Sequence, residues 1–141
     1  MLSNKKRKLY TPRRKTMSGK KLLIVIPCYN EEEALPSTLK RMETLMNKML
    51  GEKLIDKNSR VMFVDDGSAD NTWQILKKGV GKTPFFEALR LSRNFGHQSA
   101  ILAGMFDNEA DIYVTIDADL QDDPDCIVEM LQKIKAGADI V

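Results

Sequence analysis

Three oxygen-bearing side chains, Asp117, Asp119 and Gln121, stand two residues apart in VTIDADLQDDP, directly after an apolar run. Side chains alternate in extended chain, so all three are expected to project to one side and share a cation. Carboxylate oxygens suit Mg²⁺ or Mn²⁺, ions that keep positions open for water and phosphate oxygens. Unpaired carboxylates at the end of a buried strand are costly, so the spacing itself asks for a positive partner. The chemistry this permits is the holding of a divalent cation whose open positions take phosphate oxygens. Asp122, Asp123 and Asp125 read differently, as a solvated loop in which Asp123 caps the next helix.

Three further clusters carry chemistry. In VDDGS, Asp65 or Asp66 can accept hydrogen bonds from a base or a ribose, and Gly67 permits the sharp turn. The competing reading is a DG turn with Ser68 or Asp70 capping the following helix. In PCYNE, Tyr29 offers an aromatic face for a base and Glu31 a carboxylate; plain packing at a strand end also accounts for Tyr29. LSRNFGH brings Arg93 and His97, with Arg90 just before, towards the same place, and Gly96 precedes a helix whose free N–H groups suit a phosphate. His97, the single histidine, reads as structural or helix-terminal. No GxGxxG or GxxxxGK[ST] is present, which removes the dinucleotide-binding fingerprint and the P-loop. Cys28 and Cys126 lack metal-type spacing and read as reduced core residues, neither a nucleophile.

The elements that must position these residues alternate short apolar runs with longer amphipathic ones, the pattern of parallel strands crossed by helices. LLIVIPC is a buried strand that proline should end, followed by a helix in EEEALPSTLKRMETLMNKML with acids in its first turn and Gly51 as its stop. RVMFV, FFEALRL and IYVTI are further strands. WQILKK, closed by Gly79, QSAILAGMFDN and PDCIVEMLQKIKAG are further helices, and ADIV at the end reads as the start of a fifth strand. The loops after the four strands hold nearly every unusual residue, and that edge of an open parallel sheet is where ligands bind.

The 141 residues, 43% hydrophobic and 30% charged, suit one compact domain. The net charge of +2 conceals an asymmetry: residues 1–21 hold nine bases and no acid, and the remainder holds 13 bases against 20 acids. A mildly acidic domain with a basic tail does not read as a nucleic-acid binder. Residues 1–20 read as a disordered tail, either a solvated leader, with Met17 as the true start, or a segment drawn to anionic lipid head groups. The longest apolar run, Leu22 to Ile26, is far too short to cross a bilayer. A soluble cytoplasmic chain is expected, with peripheral contact at the inner face of the membrane.

Taken in this order, VIPCYNEE, FVDDGSADNTW, LSRNFGHQSAILAGM and TIDADLQDDP resemble the family-two glycosyltransferases of the GT-A fold, over residues 22–141. The run from Arg93 to Gly104 and the DADLQDDP loop are most similar to the branch that moves sugars onto polyprenyl phosphates. That branch includes the bactoprenol glucosyltransferases, the undecaprenyl-phosphate aminosugar transferases and the dolichol-phosphate mannose synthases. The resemblance implies an α/β, Rossmann-like three-layer nucleotide-sugar-binding domain over residues 21–141 with a mostly parallel sheet. It implies that Pro27, Tyr29, Glu31, Val64 and Asp66 hold the nucleotide, and that Asp117, Asp119 and Gln121 hold the metal and diphosphate. Asp117 and Asp119 are then the catalytic pair, Asp117 also touching the nucleotide, with Arg93 as a phosphate contact. It further implies a UDP-linked nucleotide-sugar donor, an inverting transfer, and a lipid-phosphate or glycan acceptor, polyprenyl phosphate first. A lipid phosphate is already ionised near neutral pH and needs little help from a base, which fits a sequence with no His-centred arrangement.

Family members continue beyond the equivalent of Val141, through an acceptor-binding half and, in the polyprenyl branch, C-terminal transmembrane helices. This chain is therefore expected to be a nucleotide-sugar half that binds nucleotide weakly and transfers no sugar alone, or an inert nucleotide-binding remnant. Two other enzymes compete. A sugar-phosphate nucleotidyltransferase wants a Gly-, Arg- and Lys-bearing loop where PCYNEEE is acidic; a dehalogenase-type phosphatase wants Thr or Val at Gln121 and its Asp-x-Asp after the first strand.

Overall fold

The computed structural model describes residues 19–106 and 108–140. Residues 1–18 of the expected tail, Met17 among them, lie outside the described residues, as do Asp107 and Val141. Strands β1 (Leu22–Cys28), β2 (Arg60–Asp65), β3 (Phe86–Arg90) and β4 (Ile112–Thr115) alternate with helices α1 (Leu35–Gly51), α2 (Thr72–Val80), α3 (His97–Met105) and α4 (Cys126–Lys135). The strands form one parallel sheet in the order β3-β2-β1-β4. The α/β expectation holds, and each strand points its C-terminal end to the same edge.

The apolar run of β1 has a plain cause: every one of its residues is buried, because the strand is covered on both faces. Alternation along it feeds two cores. Leu22, Ile24 and Ile26 pack with Met42 and Met46 of α1, Leu76 of α2 and Ile127 of α4. Leu23 and Val25 pack on the other face with Met62, Val64 and Ala100 of α3. Three helices thus cover one face and α3 the other. Full burial of side chains this size is worth about 1.5–3 kcal/mol each.

Several boundaries differ from the sequence reading. Pro27 does not end β1. Val25 turns its carbonyl to Ile116 beyond β4 and Cys28 turns its carbonyl to Asp66 beyond β2, so Pro27 faces the β4 side, past that strand's last partner. Its missing N–H therefore breaks no ladder bond. The acids Glu31 to Glu33 precede α1 rather than fill its first turn, where Pro36 sits instead. Gly51 is the last helical residue, and the chain reverses at Lys53 with φ 55°. Gly79 lies inside α2 because α1 crosses there: a Cβ would stand 2.9 Å from Leu39 Cδ1. The expected fifth strand does not form in residues 138–140, where Ile140 is 93% exposed and β4 remains a sheet edge.

Candidate functional site

The four loops after the strands enclose a cleft of about 420 Å³ lined by Pro27, Cys28, Tyr29, Glu31, Asp66, Gly96, His97, Asp117 and Asp119, among others. A larger groove of about 1180 Å³ runs along β4 and α4. It gathers none of the residues singled out above, and it is the open flank of the sheet edge rather than a set of converging loops.

Backbone N–H groups of the first two loops are satisfied by each other's side chains. Asn30 and Glu31 donate to Ser68 Oγ and Thr72 Oγ1, both at 2.9 Å, while Ala69 and Asn71 donate back to Asn30 Oδ1 at 2.9 Å and Glu32 Oε2 at 3.0 Å. Asp70 accepts from the amide of Thr72 at 2.9 Å and its hydroxyl at 2.5 Å, and from Glu32 N–H at 3.2 Å. Asp70 thus holds the first amide of α2 from one residue before the N-cap position, which is Asn71 and not the Ser68 or Asp70 read from sequence. Burial opposes ionisation of Asp70, but these donors prevail and hold its carboxyl below the ordinary value. Polar residues in two turn-rich segments were the available signal for this lacing; their pairing could not be read from spacing.

The two carboxylates of VDDGS have separate internal partners. Asp65 is fully buried; its Oδ1 accepts Ser68 N–H at 3.1 Å. Arg90 Nε lies 3.2 Å from Oδ2 but off the line of a hydrogen bond, so charge rather than a directed bond holds that oxygen. Arg90 is thereby committed to Asp65 and to the Trp73 ring, 5.8 Å away, and it does not line the cleft. Asp66 Oδ1 accepts Phe95 N–H at 2.8 Å and Oδ2 accepts Gly96 N–H at 3.1 Å. Each oxygen keeps a second lone pair. Gly67 takes φ 71° because any side chain there would drive into the backbone of Arg93 and Asn94. The second and third loops are therefore locked to each other.

The acidic loop is a turn, not extended chain. Leu120 N–H donates to Asp117 O at 3.2 Å, and Leu120 itself takes φ 50°. Asp117 and Asp119 both reach the cleft, as expected, but the turn carries Gln121 out of it. Alternation assumed an extended segment, and Leu120 breaks it; Gln121 instead gives its N–H to Asp119 Oδ1 at 3.4 Å. Ala118, between the two aspartates, is buried and accepts a 2.6 Å hydrogen bond from Thr38 of α1. Asp123 does not cap α4, whose N-cap position is Asp125; it accepts Asp125 N–H at 3.0 Å in the turn before the helix, because α4 begins at Cys126 rather than at Pro124. That bond, with Arg41 of α1 beside it, holds its carboxyl below the ordinary value.

Glu31 is raised above its ordinary carboxyl value, first by burial and then by the charges of Asp119, Asp70 and Asp117. Acids thus crowd one side of the cleft. Among the described residues no three His, Cys, Asp or Glu side chains are close enough to enclose a metal by themselves. Two exposed aspartates opening on a cleft fit a hard divalent cation that completes its shell with water and diphosphate oxygens. Cys28 lines the same cleft with its thiol pushed far up, chiefly by burial and further by Asp65 and Glu31. It gives its S–H to Ile26 O at 3.5 Å and is no nucleophile, as read from sequence.

His97 is the first residue of α3, the helix-terminal place expected, but it also lines the cleft, with Nε2 3.7 Å from Asp117 Oδ1. Tyr29, half exposed, presents its ring there. Besides Gln121, two predicted residues are not brought in. Val64 is fully buried beneath α3, and Arg93 stacks on the Phe95 ring, 4.0 Å away.

A parallel open sheet with acidic and aromatic side chains gathered at its C-terminal edge defines an open α/β domain with a ligand site in the usual place for such sheets. The chain belongs to glycosyl transferase family 2, whose family model matches residues 23–141. That assignment sets aside the nucleotidyltransferase and phosphatase alternatives. The chain is 40% identical over 122 residues to the glycosyltransferase YkoT of Bacillus subtilis (strain 168), covering 85% of this chain and 36% of that one. It is 41% identical over 118 residues to YkcC of the same organism, covering 84% and 35%. It thus spans about a third of the length of these relatives. Its fold is similar to that of the mannosyltransferase PcManGT from Pyrobaculum calidifontis, solved with GDP-Man and Mn²⁺, at a TM-score of 0.60 and 19% identity over 72% of this chain and 28% of that one. It is also similar to residues 1–349 of S. aureus TarS in complex with UDP, at 0.53 and 22% identity over 70% and 27%.

Proposed function

We propose that this chain is the donor-binding part of a glycosyltransferase that takes a nucleotide sugar, UDP-linked, and transfers its sugar with inversion to a polyprenyl phosphate. The observation that carries this reading is the meeting of Asp117, Asp119, Tyr29 and Glu31 in one cleft at the C-terminal edge of the sheet. Tyr29 stacks on the base, Pro27 and Glu31 border it, and Asp66 offers its remaining lone pairs while it holds the third loop. Asp117 and Asp119 hold Mg²⁺ or Mn²⁺, which when bound neutralises charge on the diphosphate. The chain's own part is placement: the turn at Leu120 points both carboxylates at the diphosphate, and the N-terminus of α3 faces it from across the cleft.

The acceptor follows from the similarity of the Arg93 to Gly104 run and the DADLQDDP loop to the polyprenyl-phosphate branch. An ionised phosphate oxygen attacks without a dedicated base. The nine bases of residues 1–21 suit a surface of anionic head groups. No helix among the described residues is long and apolar enough to cross a membrane.

The test is calorimetric titration of the folded chain with UDP, with and without Mn²⁺, beside Asp119→Ala. Binding that needs Mn²⁺ and falls at least about tenfold in the variant is expected, as for loss of one of two charged ligands. Asp119 is exposed and its carboxylate supports only the 3.4 Å bond from Gln121, so the variant should keep the native melting temperature. Metal-independent binding, or native affinity in the variant, would refute the reading.

A further inference from the structure

The acidic turn carries a left-handed Leu120 and two exposed aspartates, and such a turn persists only where its surroundings fix it. The fixing contact comes from far along the chain. Thr38, in the second turn of α1 and 1% exposed, gives its hydroxyl hydrogen to Ala118 O at 2.6 Å, 80 residues away. Ala34 O, 3.1 Å from the same oxygen, is the ordinary intrahelical acceptor for a helical threonine, and the shorter bond goes to the loop. Ala118 is the residue between Asp117 and Asp119, so this one carbonyl fixes the peptide that sets where both carboxylates point. One turn further along α1, Arg41 reaches Asp123 at 3.0 Å and Asp125 at 2.9 Å and holds the far end of the loop, though these exposed pairs are weak.

We propose that Thr38 is a positioning residue of the cleft: its hydroxyl anchors Ala118 O and so fixes Asp117 and Asp119 in the geometry that receives a divalent cation and its nucleoside diphosphate. This rests on the reading of the cleft given above. Thr38 touches no ligand and acts only through the loop. A mispointed carboxylate pair lowers affinity for the cation first, and nucleotide binding falls with it.

The full chain is compared as native, Thr38→Val, which keeps the shape and loses the hydroxyl, and Thr38→Ser, which keeps the hydroxyl and loses the methyl. All are measured at a temperature where circular dichroism shows them fully folded. Two readouts are taken: hydrogen exchange of the Leu120 and Gln121 amides without ligand, and calorimetric binding of UDP in the presence of Mn²⁺. Thr38→Val is expected to speed exchange and weaken binding, each about fivefold, the factor set by one net hydrogen bond, and Thr38→Ser to restore both. Native behaviour in Thr38→Val, or equal impairment in both variants, overturns the proposal, since the second outcome means that packing and not the hydroxyl matters. If the native chain binds no UDP, the reading of the cleft fails instead. The anchor is then judged by exchange alone, where unchanged rates overturn it.

Discussion

Glu31 lies beside three other acids, and its carboxyl is raised chiefly by burial, then by Asp119, Asp70 and Asp117. A carboxyl that is harder to ionise in the folded chain binds more protons there than in the unfolded one, so stability falls as pH rises. The contribution of Glu31 is thus present below its ordinary value of 4.5 and lost as pH climbs from there through its higher folded value. Glu31→Gln removes that slope. Urea denaturation across this window should show the variant equal to the native chain or less stable at the acid end and more stable at neutral pH. Parallel curves would mean that the acids do not feel each other. Saturating Mn²⁺ and UDP should narrow the gap, because a cation between Asp117 and Asp119 offsets the repulsion. At this scale the sequence made the cast legible but not the roles. Asp117 and Asp119 reach the cleft, but through a turn rather than the extended segment that the spacing argument assumed, and Gln121 does not, because φ at Leu120 is invisible to an alternation argument. Asp66 was legible as a strand-end acid, but its grip on Phe95 and Gly96 joins residues about 30 apart and leaves no local trace.

Helix α3 is the element on which the third wall of the cleft depends. Among the described residues it is the one helix on its face of the sheet, and it can lie close only because position 104 has no side chain. A Cβ there would stand 2.6 Å from Val25 Cγ1 and 2.8 Å from Val64 Cγ2. Gly104→Ala must therefore push α3 outward or force those valines off their rotamers, at about 1–3 kcal/mol by overpacking. Chemical denaturation measures this, and the helix-propensity gain of alanine, about 1 kcal/mol, works against it. Because His97 and Gly96 ride on the same helix end, UDP binding should weaken too, which a loss of stability alone would not cause at temperatures where the variant is folded. An unchanged midpoint with unchanged affinity would mean that α3 moves without consequence for the cleft. The strands were legible as short apolar runs and α1, α2 and α4 by their amphipathic period, whereas α3 carries almost no such period and was legible only as a segment rich in small residues. Their ends were not: Gly79 looked like a stop signal, and only the crossing of α1 over α2 explains a glycine inside a helix. ADIV looked like the start of a strand, yet a strand needs an edge to pair with, and residues 138–140 pair with none among the described residues.

Every loop that lines the cleft follows a different strand, and the sheet order β3-β2-β1-β4 places those strand ends side by side along one edge. A ligand seated there touches segments that join elements from β1 to α4, so its binding energy is felt by the domain as a whole rather than by one loop. Linkage then gives a quantitative expectation: UDP at a hundred times its dissociation constant, with Mn²⁺, stabilises the folded chain by about 2.7 kcal/mol. For a domain of this size that is a rise of roughly 10 °C in melting temperature, which thermal circular dichroism or calorimetry resolves easily. UDP without the metal should move the transition little, and Asp119→Ala should cut the rise by half or more at the same UDP concentration without lowering the starting temperature. The shape of the melt carries a second result. If binding tightens the whole sheet edge, one cooperative transition shifts intact; if only the β4 to α4 loop responds, a fraction of the signal stays at the ligand-free temperature. The lacing of the first two loops and the clamp of Asp66 on the third tie three walls together, and Thr38 of α1 ties the fourth through Ala118 O, so the single transition is expected.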